Sequence, residues 1–329
     1  FRSTHQANDP HSLPHDLILQ IVEDRQYNVW ILTDKGVARY QRQSDDFYLP
    51  TDEKGKNITA YSACTTPDGI LFGAKNKIYF YNYRDASFRL LQEFNQTDLP
   101  NFNVTILSLW DEHTALCCSR WQGLLLLDLK TGKCSRPPFD CGKEIMSMII
   151  DSKNRIWIAP YNNGLYCFDR NGKQLASYTT HNSSLSNNVI LSLAERENKL
   201  WIGTDGGGIN VLEPETGQLS LLEHIPGRDN YSLPANSILC LYNDQNNNMW
   251  AGSIRNGLIS IREVSMVTYT DVVPGNNRGL SNNTVLSLYQ ESDDKIWIGT
   301  DGGGVNLFNP LTEKFTHYLS TWEDKVASI

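Results

Sequence analysis

Apolar positions in this chain recur with the period of a strand and not with that of a helix. Stretches such as Val189-Ile190-Leu191-Ser192-Leu193 and Thr284-Val285-Leu286-Ser287-Leu288 place side chains alternately on two faces. Each is followed by a Trp-Ile-Gly phrase, which reads as a second strand. A third, Ile209-Asn210-Val211-Leu212, follows a Gly-rich turn, and a fourth, Gln218 to Leu222, follows the turn Pro214-Glu215-Thr216-Gly217. No segment sustains a 3.6-residue period. The pattern predicts units of four short strands.

The unit repeats. Leu200-Trp201-Ile202-Gly203-Thr204-Asp205-Gly206-Gly207-Gly208 returns as Ile296-Trp297-Ile298-Gly299-Thr300-Asp301-Gly302-Gly303-Gly304. Weaker copies centre on Trp30, Leu71, Leu116, Trp157 and Trp250, so seven anchors stand 41 to 49 residues apart. Seven units of about 45 residues fill nearly all of the 329 positions. Length alone leaves one or two domains open, but the repeat selects one. The expected fold is all-β: residues 1–329 form a single seven-bladed β-propeller of four-stranded antiparallel blades. An open solenoid would need polar capping repeats, and none is visible. Trp30, Trp157, Trp201, Trp250 and Trp297 are expected in the core between blades.

Both ends of the chain read as fourth strands. Phe1-Arg2-Ser3-Thr4-His5 resembles Leu221-Leu222-Glu223-His224, and Phe315-Thr316-His317-Tyr318 closes the last unit. Phe315 to Leu319 is expected as the outer strand of the last blade, with Phe1 to His5 competing for closure. The surplus strand suggests a segment of a longer repeat array.

Composition narrows the function. The chain is 40% apolar and 20% charged, which is globular. Its formal charge of -8 has the wrong sign for a polyanion binder that relies on bulk electrostatics, so nucleic acid is not an expected partner. The densest apolar run, Gly123 to Leu129, is far short of a membrane span of about 20 residues, and no membrane insertion by this segment is expected. The chain starts at Phe1 without a basic and apolar leader, which is the expectation for a processed chain or a piece of a longer one.

Three phrases, at 184–193, 201–208 and 309–318, resemble the two-component regulator propeller repeat. The resemblance covers essentially the whole chain, strongly in units five and seven and weakly in two and three. It implies a periplasmic sensor segment of a hybrid two-component system, in which histidine kinase and response regulator share one polypeptide. Many members of that family respond to glycan breakdown products and regulate transcription of polysaccharide-utilisation genes. It further implies an oligosaccharide ligand, an adjacent propeller or β-sandwich domain of the same parent, and a homodimer of that parent. The kinase chemistry is expected outside these residues.

Candidate chemistry must be weighed against the needs of the repeat. Consecutive glycine amides can cradle an anion, but no Lys-Ser/Thr spacing and no helix follow. Asp205, Gly206, Gly207, Gly208, Asp301, Gly302, Gly303 and Gly304 are therefore expected as structural turns, with the Asp carboxylates bonding turn amides. Of the seven cysteines, Cys240, Cys117, Cys118, Cys167 and Cys134 align with strand positions held elsewhere by Ser192, Ile202, Gly203, Val211 and Leu219, which makes them small buried residues. A Cys134–Cys141 disulfide is the alternative pairing. The histidines are His5, His11, His15, His113, His181, His224 and His317; His5, His181 and His224 share a loop context that favours a repeat-building role. No metal, cofactor or catalytic residue is expected, and a saccharide lyase or glycosidase is the competing class.

Specificity requires that the ring's symmetry be broken. In place of Thr-Asp-Gly-Gly-Gly, the turn between second and third strands carries Asp34-Lys35-Gly36, Arg120-Trp121-Gln122-Gly123, Tyr161-Asn162-Asn163-Gly164 and Ile254-Arg255-Asn256-Gly257. Lys35, Arg120, Trp121, Tyr161, Asn162 and Arg255 are the candidate contacts for a ligand or a partner domain. Aromatic faces and forked guanidinium groups suit sugars and acidic saccharides, and docking of a second propeller is the other use of the same face.

Overall fold

A computed structural model describes residues 5–52, 55–94, 102–224, 232–261, 266–270 and 279–318. These form seven four-stranded antiparallel sheets spanning 18–48, 62–93, 106–135, 145–178, 190–222, 238–269 and 285–318, numbered here as blades 1 to 7. Within each blade the strands pair in chain order. The first strand of every blade touches the first strands of its two neighbours, and Ile18–Glu23 of blade 1 meets Val285–Ser292 of blade 7. The first strands thus line the axis of a closed seven-bladed β-propeller. Among the described residues no helix is long and apolar enough to cross a membrane.

The anchors are buried as expected, with Trp30, Trp157, Trp250 and Trp297 at most 1% exposed and Trp201 at 8%. Trp30 packs edge-on against Phe72 of blade 2, and Trp250 against Phe308 of blade 7, so each indole closes the seam to a neighbouring blade. The glycine of the Trp-Ile-Gly phrase is dictated by the same packing. A Cβ on Gly299 would come within 2.6 Å of Ile18 Cγ2 in blade 1, and one on Gly252 within 2.6 Å of Val285 Cγ1 in blade 7.

A feature not read from the sequence holds each hairpin to its indole. Six residues before the tryptophan stands a carboxylate that accepts the indole N–H: Asp24, Asp151 and Asp244 at 2.8 Å, and Glu291 at 2.7 Å. The exception is Trp201, whose Nε1 has no partner, because Glu195 instead accepts the Ser152 amide at 2.7 Å and its hydroxyl at 2.5 Å.

Among the described residues, no strand is shared between the first and last blades. Blade 7 is completed by Lys314–Tyr318 and blade 1 by its own Asp46–Tyr48. Of the competing segment Phe1 to His5, residues 1–4 lie outside the described residues, as does Leu319, and His5 belongs to no strand. The seam is held by side chains. Arg42 Nε donates to Glu291 Oε1 at 2.8 Å, and Tyr40 packs on Trp297 with ring centroids 4.8 Å apart. His5 and His224 do play equivalent roles, donating Nδ1–H to the carbonyls of Leu13 and Leu233 at 3.0 and 2.7 Å.

Candidate functional site

The antiparallel order of the strands gives the ring two unlike ends. One, the link face, carries the turns between second and third strands and the links from blade to blade. The other, the turn face, carries the two remaining turns of each blade. All six candidate residues belong to the link face, and all are exposed, with Trp121 at 60% and Tyr161 at 52%.

Each of these turns has its own construction. In blades 5 and 7, Gly206 and Gly208 have φ of 85° and 74°, and Gly302 and Gly304 both have 71°. Asn162 and Arg255 occupy the place of Gly206 with φ of 52° and 66°, a left-handed conformation that disfavours ordinary side chains. The threonine hydroxyls brace the regular turns, Thr204 Oγ1 donating to Gly208 O at 2.8 Å and Thr300 Oγ1 to Gly304 O at 2.9 Å. Asp205 differs from the expectation. Its carboxylate accepts the Ser237 hydroxyl at 2.8 Å, which ties the turn to the following link and not to its own amides.

Arg120 and Trp121 stand in blade 3 and Tyr161 and Asn162 in the neighbouring blade 4, with Lys35 and Arg255 in blades 1 and 6. The Arg120 guanidinium lies over the Trp121 ring, 5.2 Å from its centroid, in a cation–π contact. Lys35 is turned toward Asp34 at 3.6 Å.

In the same turn as Arg120 and Trp121, Gln122-Gly123 forms one wall of a cavity of about 600 Å³ whose other wall is the link of residues 136–143. Its origin is local. The outer strand of blade 3 is only Cys134–Ser135, because Pro137 and Pro138 follow and have no N–H to continue the ladder. The chain swings to blade 4, where Phe139 stacks on Phe168 at 4.5 Å. Arg136 fills in for the missing strand, its Nη1 donating to Gln122 O at 3.3 Å and Leu124 O at 3.1 Å. Arg136 and Lys143 give the wall positive charge, and Asp140 accepts the Gly142 amide at 2.9 Å. Sequence reasoning found the broken turn but missed this cavity. The signal was present in Pro137-Pro138, standing where other repeats carry a fourth strand.

The remaining reactive groups are spent on packing. All seven thiols are free, including Cys134 and Cys141. Burial pushes the thiols of Cys64, Cys141, Cys167 and Cys240 up to about 12. Among the described residues, no three or more His, Cys, Asp or Glu side chains converge as a metal site would require. Glu23 is a carboxyl raised above its ordinary value by burial, against the pull of Tyr289 and Arg42, and it sits on the turn face at the seam of blades 7 and 1.

Fold and face together define a seven-bladed β-propeller with uniform turns in blades 5 and 7 and individual ones in blades 1, 3, 4 and 6. Residues 184–206, 232–255 and 279–302 match the family model described as two component regulator propeller, one match at each of blades 5, 6 and 7. Among solved structures, it is similar to the extracellular domain of the hybrid two component system BT3049 from B. thetaiotaomicron, at 21% identity and a TM-score of 0.72, over 89% of this chain and 40% of that one. It is also similar to the extracellular domain of BT4673 from the same organism, at 20% identity and a TM-score of 0.58, over 91% of this chain and 46% of that one. The WD40 propeller domain of Doa1 shares the architecture at 13% identity, with a TM-score of 0.63, over 95% of this chain and 96% of its own. The chain thus spans less than half the length of the two B. thetaiotaomicron domains. No curated protein matches it in sequence.

Proposed function

We propose that this propeller is a recognition segment in the extracytoplasmic part of a hybrid two-component sensor, and that it binds an oligosaccharide without turning it over. The observation that carries the reading is a juxtaposition: matches to the regulator propeller model at three blades, and on the link face of a fourth a cavity lined by Arg136 and Lys143 and by Gln122, which follows Arg120 and the exposed Trp121 in the same turn. The similar extracellular domains of two component systems support the location. In this reading a sugar ring stacks on Trp121 or Tyr161, and a carboxylate or sulfate meets Arg120 and Lys143. Parent-chain partners, namely an adjacent propeller or β-sandwich and a second copy of the parent, stand beside the ring, and transcription responds downstream.

The test is an oligosaccharide binding screen with product analysis, followed by Arg120→Ala and Trp121→Ala in the full-length receptor. Loss of one charged or stacking contact should weaken binding by about 1 to 3 kcal/mol. Thermal unfolding should move little, since exposed substitutions usually change stability by less than about 0.5 kcal/mol. Turnover of any ligand would favour the competing enzyme, and unchanged signalling in both variants would remove these residues from the site.

A further inference from the structure

The turn face holds a second cavity, and the way its neighbours are closed shows that it differs from them. At six of the seven seams, side chains join the turns of adjacent blades. Arg42 reaches Glu291 between blades 7 and 1, and Tyr83 accepts bonds from Arg25 and Gln26 between 1 and 2. Arg170 donates to Trp110 O between 3 and 4, and Glu195 and Glu215 take Ser152 and Lys153 between 4 and 5. Asn247 donates to Glu197 between 5 and 6, and Asn246 to Asp293 between 6 and 7.

Between blades 2 and 3, among the described residues, no hydrogen bond or ion pair crosses the turn face. A cavity of about 390 Å³ lies there instead, where two turns of blade 2 and two of blade 3 converge. Its charged groups are Arg84, Arg89 and Lys130 of one sign and Asp68 and Glu112 of the other, and among the described residues none of these five has an opposite charge within 4.0 Å. The Arg89 guanidinium lies over the Phe80 ring, 4.9 Å from its centroid.

Charged groups of both signs that face a common space without meeting are matched by a molecule carrying both complements. We infer that this cavity is a binding site for a small carboxylic acid bearing hydroxyl or amino donors. Its carboxylate meets Arg84, Arg89 and Lys130, and its donors meet Asp68 and Glu112. The volume lies within the range of small-molecule sites. The bound molecule adds polar contacts across a seam that the protein closes there by apolar packing of Phe80, Leu91 and Leu129, so binding stabilises the ring. The site is on the opposite face from the one proposed above and stands or falls independently of it.

The experiment measures thermal unfolding of the intact chain with gluconate, glutamate, propionate or sodium chloride at matched ionic strength, each at about 50 mM, so that preferential binding to the folded form raises Tm. Gluconate or glutamate should raise Tm more than propionate, which lacks the donors, and more than sodium chloride. Lys130→Met and Arg89→Lys should each weaken binding, by at least about tenfold where a charged hydrogen bond is lost, whereas Lys314→Met, an exposed cation of blade 7, should not. Arg89→Lys keeps charge and stem, so a loss of the shift with unchanged Tm in the absence of acid reports binding and not misfolding. Equal shifts with sodium chloride, no shift with either donor-bearing acid, or full shifts in both site variants would overturn the assignment.

Discussion

Replacing Asp244 by alanine should destabilise the protein far more than the loss of one hydrogen bond. The carboxylate is 5% exposed and accepts four donors: the amides of Asn246 at 2.9 Å and Asn248 at 2.7 Å, Asn248 Nδ2 at 2.9 Å and Trp250 Nε1 at 2.8 Å. In Asp244→Ala the turn amides can turn to water, but the indole N–H is sealed in the seam to blade 7. Stranding it costs about 1–3 kcal/mol, and with the other charge-assisted bonds the total reaches about 3–5 kcal/mol. Equilibrium urea unfolding followed by tryptophan fluorescence measures it. The double variant with Trp250→Phe supplies the control, because removing the stranded donor should recover part of the loss, a coupling of about 1–3 kcal/mol. Trp201 sharpens the comparison: its N–H is already without a partner, so Trp201→Phe should cost less than Trp250→Phe. An Asp244→Ala variant within about 1 kcal/mol of the parent, or equal costs for the two Trp→Phe changes, would refute the reasoning.

Gly299→Ala should overpack the closing seam against Ile18 and cost about 1–3 kcal/mol, as should Gly252→Ala at an interior seam; hydrogen exchange should quicken in blade 1 only for Gly299→Ala, and unaltered stability in both would contradict the packing argument. Glu23 binds its proton more tightly folded than unfolded, since burial raises it above the ordinary 4.5, so its contribution to stability falls as pH rises through and above that value. Glu23→Gln should therefore gain stability relative to the parent at pH 7 and lose that gain near pH 4, and a pH-independent difference would exclude the assignment. With burial holding four thiols near 12, a disulfide-exchange reagent at pH 8 should label native Cys64, Cys141, Cys167 and Cys240 slowly and the urea-unfolded chain at once; equal rates would show that these thiols are reachable.

What could be read from the sequence was whatever each blade states for itself. The four-strand unit, its seven copies and the burial of Trp30, Trp157, Trp201, Trp250 and Trp297 follow from local patterns that repetition makes audible. Strand limits moved by one to four residues, as where the stretch read as Thr284 to Leu288 runs Val285–Ser292. The carboxylate six residues before each tryptophan was equally local, but it alternates between Asp and Glu and does not form a fixed phrase. The outer strand of the last blade was legible at Phe315 to Tyr318, but the side chains that hold the closing seam were not, because Arg42 and Glu291 meet only after the ring has formed. The cavity at the Gln122-Gly123 turn was hidden for a related reason. It depends on where Phe139 goes after Pro137-Pro138, and that is decided by Phe168 in the next blade.

The closing seam also has a mechanical meaning. Rings whose last sheet borrows a strand from the other end of the chain are latched by a backbone ladder. Here, among the described residues, every ladder is confined to one blade, and side chains such as Arg42, Glu291, Tyr40 and Trp297 span blades 7 and 1. A pull applied across those two blades would therefore part them before any strand came loose, so the ring could spring open and shut as a clasp with each blade intact.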